Sequence, residues 1–274
     1  MISKLKTLIK FIIYYIINLL VKPSKDINKN TLLFIRLDSI GDYVMFRNFI
    51  EILKKSDKYK NYNITLVGNS AWKNLSEELD KEYMDKFIWI EINKFSKDFT
   101  YRYKKIKEIV SLGYEVVLSP VYSRDFFTVD NIVKLVNAKE KIGSIGDLSN
   151  IEKMAKKISD KYYTKLIPAK SELMFEFNRN KEFFENILDV KLTIGKPAIS
   201  LKDNKLQFNL PKKYTVLFIG ASAAFRKWDI KKFAAVGKYL KDNYDYQIVL
   251  CGAPSDKIDA LEFSKYFKDE YIDL

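Results

Sequence analysis

The stretch Thr31-Leu32-Leu33-Phe34-Ile35-Arg36-Leu37-Asp38-Ser39-Ile40-Gly41-Asp42 decides how the chain is read. Residues 31–38 form an apolar run without alternation, the pattern of a strand covered on both faces in a parallel sheet. Ser39-Ile40-Gly41 is a tight turn, and residues 42–55 follow as an amphipathic helix. Open parallel sheets bind ligands beyond the carboxyl ends of their strands, which places this turn at a working edge. Gly41 permits a positive φ or a close backbone approach. Asp42 stands in the first helical turn, where the macrodipole favours its ionised form, and such a carboxylate can act as a general base. Asp38 or Asp42 can instead be a helix cap, and from this loop alone a cap is the simpler account.

Outward from this loop, strands and helices alternate. Strands are expected at 63–68, 87–92, 115–119 and 141–144. Helices are expected at 71–83, at 99–112 and from the fourth strand through Val136. That order implies right-handed βαβ units and a parallel sheet. Residues 149–190 read as helical and highly charged, without clear strands. Residues 192–213 contain Gly195, Pro197 and Pro211 and read as a linker. A second α/β unit follows, with strands at 214–219 and 247–251, helices at 229–243 and 255–267, and a strand beginning at Tyr271. Three strands and two helices are half of an ordinary doubly wound domain. The expected division is a helix in 1–26, a Rossmann-like domain in 27–190, a linker in 191–213 and a partial second domain in 214–274.

Residues 8–21 (LIKFIIYYIINLLV) number fourteen, short of the roughly 20 needed to span a bilayer. On a helix, Lys6, Lys10, Tyr14 and Asn18 make a narrow polar stripe. Leu5, Leu8, Ile9, Ile12, Ile13, Ile16 and Leu20 make a broad apolar face. The expectation is a helix lying in the membrane interface with its lysines near anionic head groups. The alternative is a helix packed on its own domain. No small-residue cleavage site follows, and Pro23 ends the helix.

The 274 residues carry 48 Lys and Arg against 35 Asp and Glu, a net +13. That balance suggests an anionic partner, or simply a Lys-rich composition. There is no His and a single Cys, Cys251, so a Ser-His-Asp triad, a His-ligated metal and an intramolecular disulfide are all impossible. A reducing, cytosolic setting fits. Acid–base chemistry must come from carboxylates, Tyr, Lys or the substrate.

A second loop, Ile219-Gly220-Ala221-Ser222-Ala223-Ala224-Phe225-Arg226-Lys227-Trp228, also runs from strand to helix. Small residues allow close backbone approach, Ser222 offers a hydroxyl, and Arg226 and Lys227 add positive charge near a helix N-terminus. These are the parts of a diphosphate cradle. The plainer account is a surface turn with a solvated basic pair.

Together the two loops resemble glycosyltransferase family 9, the heptosyltransferase-like enzymes. The first family motif, R-x-D/S-S-x-G-D, is matched by Arg36, Asp38, Ser39, Gly41 and Asp42. The second, G-A/S-S followed by a basic residue and Trp, is matched by Gly220, Ala221, Ser222, Arg226 and Trp228. The later turn from Cys251 to Asp256 resembles the family's G-G/A-P-x-D/E. The resemblance implies a GT-B fold of two Rossmann-like domains facing a cleft, here with an added N-terminal apolar helix. It implies an inverting, metal-independent transfer from a nucleotide-sugar, with Asp42 as the base and no cofactor. No Asp-x-Asp sequence suggests a metal. Arg36, Asp38, Ser39 and Gly41 fall to the acceptor side, as does Arg124, which follows the strand at 115–119. Gly220, Ala221, Ser222, Arg226, Lys227 and Asp256 fall to the nucleotide-sugar side. In the family the acceptor is usually inner-core lipopolysaccharide. The implied partners are therefore an anionic glycolipid and the inner-membrane surface, with the protein cytoplasmic and peripheral.

The family's second domain continues with a D-T/S-G-x-x-H motif, and this sequence ends at Leu274 without it. The expectation is a truncated second domain that binds nucleotide-sugar poorly. A non-catalytic remnant with a scaffold role is therefore one alternative. A basic nucleic-acid-binding α/β protein is another, weakened because the lysines are spread along the chain. A nucleotide-dependent oxidoreductase needs a G-x-G-x-x-G turn that is absent, and no P-loop is present. Trp72, Trp89 and Phe183-Phe184 read as core. Asn178-Arg179-Asn180 reads as a solvated helix face, with a place facing the acceptor as the alternative.

Overall fold

The structure, a computed structural model, describes residues 2–199, 208–221 and 223–274, with residues 2–8 and 10 described as backbone. The chain divides into two units, Met1–Leu201 and Lys202–Leu274. The elements of the first are α1 (Ile2–Leu20), β1 (Asn28–Arg36), α2 (Ile40–Phe46), α3 (Asn48–Lys55), β2 (Asn63–Asn69), α4 (Lys73–Leu79), β3 (Lys86–Ile90), α5 (Ile92–Lys97), α6 (Phe99–Val110), β4 (Tyr114–Ser119), α7 (Val129–Leu135), β5 (Ala138–Ser144), α8 (Lys153–Ser159), β6 (Lys165–Ile167) and α9 (Glu176–Leu188).

All six strands are parallel, in the order β3-β2-β1-β4-β5-β6. The winding reverses at β1, so the carboxyl ends of β1 and β4 open a crevice for a ligand. β1 is buried on both faces because its side chains alternate between two cores. Leu32 and Phe34 join the layer of α2, α3 and α9, where Phe34 stacks on Phe46 at 5.1 Å. Leu33 and Ile35 join the layer of α5, α6 and α7.

Three elements differ from the sequence-based expectation. The helix expected over 42–55 starts at Ile40 and breaks at Arg47 into α2 and α3. Arg47 keeps helical angles, but Ile50 bonds back to its carbonyl at 3.0 Å while its side chain turns into the protein. β6 lies within the segment expected to lack strands. Its three residues are too few to show a period, and pairing with β5 makes the strand. α5 was not anticipated either.

α1 corrects the expected polar stripe. Tyr14 is buried, with the Arg102 guanidinium 3.6 Å from its ring centroid, and its hydroxyl donates to the Ser96 carbonyl at 2.9 Å. Asn18 donates to Asn131 Oδ1 at 2.7 Å and accepts from its amide at 3.3 Å. Ile17 and Val21 enter the core. Tyr14 and Asn18 thus face inward, where the domain supplies partners, and Ile9, Ile12, Ile16 and Leu20 face solvent. The side chains of Leu5, Lys6, Leu8 and Lys10 lie outside the described residues. Among the described residues, no helix is long and apolar enough to cross a membrane.

The second unit comprises β7 (Tyr214–Phe218), α10 (Ile230–Tyr244), β8 (Gln247–Cys251), α11 (Lys257–Tyr266) and β9 (Tyr271–Asp273), with parallel strands in the order β7-β8-β9. Its core joins Leu217, Ile219, Ile248 and Leu250 to Phe263 and Phe267.

Gly113, between α6 and β4, marks where the chain leading from α1 into β1 passes the turn before β4. A Cβ there would lie 1.9 Å from the Asp26 carbonyl oxygen, a backbone atom that no rotamer can move aside. Gly113→Ala is expected to cost about 1–3 kcal/mol, read as a lower urea midpoint at unchanged slope.

Candidate active site

At the carboxyl end of β1 the candidate site of the first unit is organised around Arg36, which is 1% exposed. Its Nε lies 2.7 Å from Asp38 Oδ2, its Nη1 donates to Asn180 Oδ1 at 2.7 Å, and its Nη2 donates to Glu176 Oε1 at 2.9 Å. The guanidinium sits 4.9 Å from the Phe46 ring centroid. Burial opposes its charge, but Asp38 and Glu176 more than offset this and hold its pKa above the ordinary value. Burial pushes the Asp38 carboxyl up, with Arg36 opposing. Arg36 therefore shapes the carboxyl edge of β1 from beneath. Asn180 and Arg179 correct the expected solvated helix face, since both are buried. Arg179 donates to the Lys170 and Glu172 carbonyls at 2.6 and 2.8 Å and tethers the loop before α9.

Above this knot Ser39, Ile40 and Gly41 are exposed and Asp42 is half-buried. Asp42 Oδ2 accepts from the Ser39 N–H at 3.1 Å and the Ser39 hydroxyl at 2.6 Å. The capping role is thus filled by one oxygen, and Oδ1 takes no hydrogen bond among the described residues. Gly41 does not take the positive φ that a glycine permits. It sits in the first turn of α2, and a Cβ there would meet nothing within 4 Å. The fold does not need a glycine at this position, and the space above it is open.

The helix carrying Asp42 is anchored by a buried network that sequence reasoning missed. Tyr43 stacks on Trp72 with centroids 4.5 Å apart, and Trp72 Nε1 donates to the Asp38 carbonyl at 3.0 Å. The Tyr43 hydroxyl donates to Asp80 in a very short bond, and Arg47 Nη2 pairs with the same carboxylate at 3.0 Å. Arg47 Nη1 also donates to the Ala198 carbonyl at 2.8 Å, tying the segment after α9 to the α2–α3 junction. Burial pushes the Asp80 carboxyl up, opposed by Tyr43 and Arg47. Nothing in the local sequence distinguishes Asp80 from a surface acid.

Arg124 departs from the expected acceptor contact. It is fully buried, pairs with Asp160 in a very short contact, and lies 3.9 Å from Asp130. Its guanidinium is 4.9 Å from the Tyr163 ring centroid. It braces the loop after β4, because a buried cation is held by its carboxylates rather than presented to solvent.

In the second unit the loops after β7 and β8 interlock. A Cβ on Gly220 would fall 2.1 Å from Asp256 Oδ2, so only glycine lets these loops close. Asp256 is buried and accepts from the Ala253 N–H at 3.0 Å. Lys227 donates to Asp256 Oδ1 at 2.8 Å and to Asp259 in a very short bond. Lys227 and Asp256 thus differ from their expected role as ligand contacts, each being spent on the other. Arg226 is exposed beside Phe225, and Ala221 is half-buried. Ser222 lies outside the described residues. Trp228 packs edge-on against Phe233 at 5.0 Å. A groove of 380 Å³ opens beyond β8, lined by Ile219, Gly252, Ala253, Pro254, Ala260 and Asp273 among others. A larger groove of 800 Å³ in the first unit, between α3 and residues 188–194, lies toward the amino ends of the strands and gathers no reactive set. Among the described residues, no group of three His, Cys, Asp or Glu side chains is placed to hold a metal ion.

Asp80→Ala strands the Arg47 charge and is expected to cost about 3–5 kcal/mol, with Asp80→Asn costing less because it keeps an acceptor for Tyr43. Chemical denaturation of both variants checks the order. In the second unit, Lys227 and the Ala253 N–H hold Asp256 below its ordinary 3.8. A lowered carboxylate pKa contributes stability above the unfolded value and loses it as pH falls through the folded one. Thermal melting from about pH 4 downward should show that loss, and Asp256→Asn should flatten it.

The match to the model of glycosyltransferase family 9 (heptosyltransferase) covers residues 102–269. The fold is shared with solved structures. E. coli heptosyltransferase WaaC with ADP is 14% identical, with 89% of this chain and 74% of that chain covered at a TM-score of 0.62. The glycosyl transferase family 9 protein of Veillonella parvula DSM 2008 is 14% identical, covering 91% and 71% at 0.68. E. coli ADP-heptose lps heptosyltransferase II is 15% identical, covering 86% and 68% at 0.57. No curated protein sequence gives a match. The α/β units are of GT-B type, and the family match spans more than half of the chain, so this chain belongs to glycosyltransferase family 9 and its class of reaction is glycosyl transfer.

Proposed function

We propose that this chain moves a sugar, heptose or similar, from a nucleotide-sugar to a lipopolysaccharide or related surface-glycan acceptor, with inversion and without a metal. The observation that carries the reading is Asp42, whose Oδ2 is held by Ser39 while Oδ1 is left unengaged at the open edge of β1. Oδ1 takes the proton of the acceptor hydroxyl. That oxygen bonds to the anomeric carbon as the bond from carbon to the diphosphate oxygen breaks on the opposite face. The electron pair leaves with the diphosphate. Arg226, exposed beside the strand-to-helix turn of the second unit, meets the departing charge, together with Ser222 and the backbone at Gly220 and Ala221. The groove beyond β8 takes the nucleoside. A nucleotide-sugar donor is supported by two E. coli WaaC structures of this fold, titled with ADP and with ADP-2-deoxy-2-fluoro heptose.

On the acceptor side the open space over Gly41, with Ser39 and Asp38 beside it, receives the glycan. Arg36 and Arg124 act from beneath by holding the loops in place. The acceptor is an anionic glycolipid, and the enzyme works as a peripheral protein on the cytoplasmic side of the inner membrane.

Asp42→Asn keeps a hydrogen-bond acceptor for Ser39 and removes the base. It should lower kcat about 10²–10⁴-fold while the melting temperature stays near that of the parent. Arg226→Ala should chiefly lower kcat, about 10²–10³-fold, with a smaller rise in the KM for the nucleotide-sugar. Full transfer activity in the Asp42 variant would overturn the assignment and favour a non-catalytic scaffold.

A further inference from the structure

We propose that the first unit docks on an anionic phospholipid surface through one composite face built from α1 and α8. Where the proposed function asks only that the chain reach a membrane, this assigns the surface that does so, and it does not depend on the transfer chemistry.

On α1, Ile9, Ile12, Ile16, Leu19 and Leu20 are each 47–66% exposed. A helix on a water-soluble domain ordinarily buries its apolar stripe against that domain. α1 does the reverse on much of its surface, because Tyr14 and Asn18 make the docking contacts. The helix is fixed in this orientation. Arg102 lies 3.6 Å from the Tyr14 ring centroid and 4.3 Å from that of Phe95, so the apolar ridge is presented ready-made.

The ridge does not end with α1. On α8, Met154 is 70% exposed and Ile158 45% exposed, four residues apart and so on one side of the helix. Between the helices runs a groove of 220 Å³ lined by Phe11 and Tyr15 of α1, Ile158 of α8, and Phe126 and Tyr162. It joins the two apolar surfaces into one. Contiguous exposed apolar surface of this kind marks an interaction site.

The charge around it identifies the partner. Lys134 lines the groove, and Lys134, Lys153, Lys157 and Lys161 are all exposed. Glu152 is exposed beside them, and Asp160 is engaged by Arg124 and Lys156. An apolar surface flanked by lysines on its α7 and α8 side suits an interface between acyl chains and anionic head groups. A second copy of the chain would bring two sets of lysines together. The location also suits the function. Phe11 packs edge-on against Phe127 in the loop after β4, so the N-terminal half of α1 lies beside the carboxyl edge that carries the Asp42 loop.

The test is flotation of the full chain with vesicles of phosphatidylcholine alone or of equal parts phosphatidylcholine and phosphatidylglycerol. Wild type should float with the mixed vesicles, less with phosphatidylcholine alone, and less at high salt. I16E/L19E and M154E/I158E should each weaken partition about tenfold or more. Their circular dichroism and melting should be unchanged, since all four positions are exposed. The Asp42→Asn variant should float like wild type, so loss of the transfer reading leaves this one standing. Three results would overturn it. Wild type could fail to float with mixed vesicles, M154E/I158E could float undiminished, or wild type could be a dimer that I16E/L19E dissociates without any vesicle binding.

Discussion

A guanidinium sealed from water at the end of the central strand governs the first unit. Taking a cation out of water is costly unless carboxylates and amide oxygens surround it. Arg36 obtains these from Asp38, two residues on, and from Glu176 and Asn180 on α9, at the other end of the domain sequence. Closing that shell forces the first βα turn, α2 and the start of α9 to meet at the carboxyl edge of β1. The Asp80 carboxylate does the same on the other side of α2 by taking Tyr43 and Arg47 together. The exposed turn from Ser39 to Asp42 therefore stands on two buried ion-paired networks, and its position is fixed although its own contacts are few.

This arrangement separates support from chemistry. The buried cations Arg36, Arg47 and Arg124 are neutralised by carboxylates, and Lys227 is held by two. Among the described residues, Asp42 in the first unit and Arg226 in the second are not engaged by an ion pair. An unspent carboxylate beside buried, neutralised cations fits the transfer proposed above. A site whose charges were all exposed would be screened by water and less well oriented.

The positive balance of the chain has a location as well. Lys134, Lys153, Lys157 and Lys161 stand exposed on the α7 and α8 side of the apolar surface formed by α1 and α8.

The alternation of apolar runs with turns made the parallel α/β class, the two-unit order and the two strand-to-helix loops legible in the sequence. These features are local: a doubly covered strand, a strand-to-helix turn and a helix start are written in adjacent residues. The motif around Asp42 and the one around Ser222 were readable for the same reason, as was the family. The role of each charged residue was not, because a charge is assigned by what lies opposite it. Arg124 read as a ligand contact until Asp130 and Asp160 were found beside it. Asn180 read as a solvated residue until it met Arg36, and Lys227 as a free cation until it met Asp256. The helix at the N-terminus shows the division most directly. Its sequence determined that it has one polar stripe and one broad apolar face. Only the tertiary structure decided which residues face water, since Arg102, Ser96 and Asn131 offered partners to Tyr14 and Asn18 and left Ile9, Ile12, Ile16 and Leu20 outside.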